Sequence, residues 1–66
     1  MLVGVVASAA VLTAREREIA NLAAAGLSSK EIASRLVVSA RTVDNHLQRV
    51  YSKLGITGRD ELPNVL

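Results

Sequence analysis

The chain has 66 residues, no cysteine and a formal net charge of +2. A domain this small buries only about 60% of the surface its unfolded chain exposes, so one domain fits and a deep catalytic pocket beside the core does not. The absence of cysteine excludes a disulfide framework and a thiolate metal site, and makes a reducing cytoplasm the expected compartment.

Half the residues are apolar, yet there is one Tyr and no Phe or Trp. The core must therefore be built from Leu, Ile, Val and Ala, a composition that favours helices over an aromatic-rich sheet. The chain opens on the uncharged stretch MLVGVVASAAVL. A membrane-spanning helix needs roughly 20 apolar residues, and a signal peptide needs a basic start that this stretch lacks. Residues 1–11 read as an apolar tail or linker and residues 12–66 as the domain. An added strand or a partner-docking segment is the other reading of the tail.

Thr13 and Glu16 form a capping box, in which each side chain satisfies the other's backbone N–H. Leu12 and Arg17 do not form a clean hydrophobic staple across that cap. The box predicts a helix over 14–25, ended by Gly26 in a left-handed conformation, with Ile19, Leu22 and Ala23 on its inner face. Ser28 and Glu31 form a second box and open a short helix over 29–36, with Ile32, Ala33 and Leu36 inward. Val37 and Val38 make a tight connection, and Ser39 caps a third helix over 40–54 that stops at Gly55. Ile56 is expected to plug the core. A fourth helix starting near Thr57 or Gly58 runs into Pro63, which lacks an N–H and clashes with the preceding turn at about 3 kcal/mol. That helix is expected to be short, bent, or reduced to one turn before Pro63. The fold class is all-α, a small bundle of three to four helices.

At about 100° per residue, Val43, Leu47, Val50 and Leu54 share one side of the third helix. Burial worth roughly 1.5–3 kcal/mol per side chain turns that side inward. Arg41, Asn45, Gln48, Arg49 and Ser52 lie opposite, flanked by Thr42, Asp44 and Lys53. A merely solvated face usually mixes Glu and Lys at four-residue spacing; this one has no Glu and carries three cations against one anion. A short helix, a tight turn and a longer helix with a donor-rich face describe a helix-turn-helix. Such a helix fits the major groove of double-stranded DNA, about 12 Å wide. Lys30 and Ser29, at the start of the second helix, and Ser39, at the start of the third, are placed for phosphates.

Three blocks, LTAREREI (12–19), GLSSKEIASRL (26–36) and SARTVDNHLQRVYSKLGI (39–56), closely resemble the LuxR-type helix-turn-helix domain. That domain is the C-terminal DNA-binding module of quorum-sensing regulators and many response regulators. The resemblance spans residues 12–62, and the TVDNHLQRVYSKLG text looks most like the domains that end large multidomain bacterial regulators. It implies a four-helix domain whose third helix reads the major groove, with two copies bound on an inverted repeat near a promoter. It also implies base contacts from Asp44, Asn45 and Gln48, and phosphate contacts from Lys30, Ser39, Thr42, Arg49 and Lys53. The helical wheel adds Arg41 to the phosphate set. Many members carry Lys where this chain has Asp44; a carboxylate there can accept from cytosine N4, which predicts a cytosine opposite it. Pro63 departs from the pattern too, and puts pairing through the fourth helix in doubt. Contact with RNA polymerase is a further expectation; a membrane is not an expected partner.

Other functions draw less support from the residues. His46 is the only histidine and has no Cys or second His to complete a zinc site, so it reads as a packing residue at the edge of the core face. No phosphate-binding glycine loop or nucleophile elbow is present, so neither an enzyme nor a cofactor is expected. Tyr51 reads as a rim packing residue, since single-strand platforms need several aromatics. The promoter-reading module of sigma factors opens with similar text, but the TVDNHL block favours the LuxR type. The competing reading from another class is a helical protein-interaction module of a larger regulator. Salt separates the two, because only phosphate binding weakens steeply as salt rises.

Overall fold

The computed structural model describes residues 12–66. The tail assigned to residues 1–11 lies outside them. The described residues form α1 (Ala14–Ala24), α2 (Ser29–Leu36), α3 (Ala40–Leu54), a 3₁₀ turn (Arg59–Glu61) and α4 (Leu62–Val65), with no strand among them. The all-α class and the helix-turn-helix of α2 and α3 are as the sequence indicates. Among the described residues no helix is long and apolar enough to cross a membrane.

Each predicted cap is present. The Glu16 amide donates to Thr13 Oγ1 (3.1 Å), and the Thr13 amide donates to Glu16 Oε1 (2.9 Å). At the second box the Glu31 amide donates to Ser28 Oγ (3.1 Å), and the Ser28 amide donates to Glu31 Oε1 (2.8 Å). Helix α1 ends one residue earlier than its pattern suggests, with Ala25 as the cap. The Leu27 amide reaches back to the Leu22 carbonyl (3.1 Å) and the Gly26 amide to that of Ala23 (3.0 Å). This paired closure needs a left-handed residue, and Gly26 supplies it at φ 103°.

The end of α2 uses a residue poorly suited to the job. Val37 sits at φ 58°, ψ 49°, and the residue is 89% exposed. A left-handed conformation costs an L-residue roughly 1–2 kcal/mol, and β-branching does not relieve it. The conformation allows the Val38 amide to close on the Ala33 carbonyl (3.0 Å), so the chain turns sharply into α3.

The core consists of Leu12, Ile19, Ala20, Ala23, Ile32, Ala33, Val43, Leu47, Val50 and Leu62. The faces predicted for α1, α2 and α3 point inward, with Leu22, Leu36 and Leu54 only partly buried at the rim. Small side chains at Ala20, Ala23 and Ala33 let the helices approach closely. Leu12, just ahead of the cap, is buried with the core.

One expectation about the C-terminal segment needs correction. Ile56 is partly buried at the rim, and the residue that plugs the core is Leu62, with no exposed surface. The fourth helix is short, as its sequence indicates: a three-residue 3₁₀ turn leads into the four-residue α4. Pro63 falls in the first turn of α4, where its missing N–H has no helical partner to lose. The preceding 3₁₀ turn is set by Glu61, whose Oε2 accepts from the Thr57 amide (3.0 Å) and hydroxyl (2.8 Å).

Candidate nucleic-acid interface

Burial of Val43, Leu47 and Val50 fixes the rotation of α3. The opposite side presents Arg41, Asp44, Asn45, Gln48, Arg49 and Ser52, all exposed. A helix of this length runs roughly 22 Å at 1.5 Å per residue, and carries these groups along one outer stripe. Among the described residues, no hydrogen bond or ion pair engages the side chains of Arg41, Asn45, Gln48 or Arg49. The same holds for exposed Lys30 on α2. These five side chains form a set of uncommitted donors.

The other site residues have partners. Ser39 Oγ accepts from the Thr42 amide (3.1 Å) and shares a hydrogen bond with Thr42 Oγ1 (2.9 Å). Both hydroxyls stay at the N-terminal end of α3, where the helix dipole favours an anion. The Ser29 hydroxyl donates to Asp44 Oδ1 (2.5 Å), so Asp44 is tied to the start of α2. Ser29 Oγ in turn accepts from Arg59 Nη2 (3.1 Å), and Arg59 Nη1 donates to the Leu27 carbonyl.

Lys53 stands apart from the rest of its assigned set. Its ammonium lies 2.7 Å from Glu16 Oε1, with the Glu16 residue 4% exposed. That carboxylate serves two elements at once: it closes the α1 capping box and anchors the last turn of α3. The Lys53 ammonium, then the Thr13 N–H, hold the Glu16 carboxyl below its ordinary range against the opposing effect of burial. Glu31 and Glu61 are also lowered, mainly by the Ser28 amide and the Thr57 hydroxyl respectively.

Spacing in the sequence gives no sign of Glu16–Lys53, 37 residues apart, or of Ser29–Asp44, 15 apart. A charged residue on the buried side of α1, three positions before Ile19, is the one clue to the first. His46 is half-buried, and its Nδ1 is buried with no hydrogen-bond partner among the described residues. Among the described residues no group of three or more His, Asp or Glu side chains could hold a metal ion.

A helix-turn-helix with this exposed face defines a class of regulatory domain, and comparison with known proteins supplies the family. Residues 10–66 match the family described as bacterial regulatory proteins, luxR family, and the chain belongs to it. It is 53% identical over 51 residues to an HTH-type transcriptional regulator of Mycobacterium tuberculosis (strain ATCC 25618 / H37Rv), a match covering 77% of this chain and 6% of that protein. To the transcriptional regulatory protein NarL of the same strain it is 51% identical over 51 residues, 77% of this chain and 24% of the relative. To the spore germination protein GerE of Bacillus subtilis (strain 168) it is 45% identical over 51 residues, 77% of this chain and 69% of the relative. The chain thus spans a small part of the mycobacterial relatives and most of GerE. Both mycobacterial relatives carry names that describe transcriptional regulators. No solved structure matches the chain significantly.

Proposed function

We propose that the domain binds double-stranded DNA sequence-specifically in transcription regulation, with α3 in the major groove. The observation that carries this reading is the uncommitted, exposed donor face of α3, held outward by the buried Val43, Leu47 and Val50. Membership of a family of bacterial regulators and relatives named as transcriptional regulators support it. Asp44, Asn45 and Gln48 read base edges. Lys30, Ser39, Arg41, Thr42 and Arg49 hold phosphates and set the register. Lys53 contributes through its position: paired with Glu16, it fixes the far end of α3.

One domain at net +2 binds weakly alone, and useful affinity comes from two copies on adjacent half-sites. Action in the cytoplasm, a contact with RNA polymerase, and a role for residues 1–11 as a linker to regulatory domains complete the proposal.

The reading is tested by titrating a labelled random-sequence duplex at low and moderate salt. Binding should weaken steeply as salt rises, and Arg49→Ala should weaken it across all sequences and reduce the log–log salt slope by about 1. Affinity indifferent to salt and to Arg49 would instead favour the protein-interaction module.

A further inference from the structure

The line from Arg59 through Ser29 to Asp44 joins three elements that the DNA-binding reading leaves unrelated. Arg59 opens the C-terminal 3₁₀ turn, Ser29 opens α2, and Asp44 stands one turn into α3. Ser29 has one hydroxyl proton and two acceptor positions. The proton goes to Asp44 Oδ1 and one acceptor position takes Arg59 Nη2. The guanidinium is itself fixed, because its other nitrogen donates to the Leu27 carbonyl in the closed end of α1. Arg59 and Ser29 are both half-buried, whereas Asp44 is exposed on the outer side of α3.

A carboxylate on a DNA-facing helix is repelled by phosphate, and left alone it would swing away or turn at random. Here one oxygen is pinned and the guanidinium charge lies one hydroxyl away. The second oxygen is thereby presented from a fixed position. Charge-assisted hydrogen bonds of this kind are stronger than neutral ones and add geometric definition.

We propose that Arg59 and Ser29 are specificity-determining positioning residues that hold the Asp44 carboxylate in place. Through them the C-terminal turn governs which base pair α3 accepts, and not how strongly the domain grips phosphate. The inference rests on α3 being the DNA-reading helix. It assigns Ser29 to positioning rather than to a phosphate, and gives Arg59 a part that its distance from α3 in sequence conceals.

The test compares affinity for a duplex selected by the wild-type chain with affinity for a random duplex, at one salt concentration. Ser29→Ala and Arg59→Lys should each lower that discrimination about fivefold to tenfold, through the selected duplex alone, on the scale of one well-placed base contact. Arg59→Lys keeps the charge but loses the two-pronged fork, and Ser29→Thr keeps the hydroxyl and should retain discrimination. Thermal melts confirm folding of each variant. In an Asp44→Ala background, neither substitution should lower discrimination further. Full discrimination in Ser29→Ala, or an equal loss with and without Asp44, would overturn the positioning role while leaving DNA binding intact. A wild-type chain that does not discriminate at all would remove the DNA-reading assignment itself, and this inference with it.

Discussion

Leu62→Ala is expected to destabilise the domain by about 3 kcal/mol, within the range for truncating a buried leucine. Leu62 has no exposed surface, and its helix packs on α1. A domain of about 55 residues has a total stability of roughly 3–8 kcal/mol at typical per-residue values, so this one change removes a large share of it. Ile56→Ala, at the rim, should cost about 1 kcal/mol, in proportion to its partial burial. Denaturant unfolding followed by far-UV circular dichroism measures both. A Leu62→Ala variant as stable as wild type would mean that the C-terminal turn is not part of the core.

Glu16→Ala is the second large effect, a loss of about 2–3 kcal/mol at neutral pH. It removes the return half of the α1 capping box and leaves both the Thr13 N–H and the Lys53 ammonium without the carboxylate they share. Lys53 is 36% exposed, so solvent screens part of its share. Glu16→Gln keeps an acceptor for Thr13 and loses only the charge, so about 1 kcal/mol is expected. The pH dependence separates the two contributions. Glu16 is lowered in the folded state, so its stabilisation is fully present above the unfolded carboxylate value of about 4.3 and is lost as pH falls through the folded value. Glu31 and Glu61 shift in the same direction and steepen the acid transition. Thermal melts from pH 7 to pH 3 should show wild type losing its advantage over Glu16→Gln below about pH 4. A constant difference across that range would mean that the Glu16 charge contributes nothing to stability.

Glu16 also marks where sequence reading stops. Its capping role is legible because both partners lie three residues apart, and short spacings along a helix have fixed geometry. The same is true of Ser28 with Glu31, and of Val43, Leu47 and Val50 on one side of α3. Its ion pair with Lys53 depends on how α1 and α3 are rotated against each other, which no local pattern encodes. The family resemblance alone therefore places Lys53 among the phosphate residues, with no hint of its partner. The partners of Asp44 are equally hidden, since Ser29 and Arg59 come to it only through packing. A fourth helix started near Thr57 or Gly58 makes Pro63 an interior proline. Once Leu62 begins that helix, the proline falls where an N–H is not needed. The left-handed Val37 leaves no mark in the sequence for a different reason: valine is not a residue type that favours that conformation.

That the outer face of α3 is the DNA-facing surface is tested most directly by titrating the ¹⁵N-labelled domain with a short duplex and following its amide resonances. The shifts should concentrate at Ser39, Arg41, Asn45, Gln48 and Arg49, with Lys30 moving alongside them. The outer face of α1, around exposed Arg17 and Asn21, should stay still. Shifts confined to that face of α1, or none at duplex concentrations well above those of the domain, would contradict the assignment.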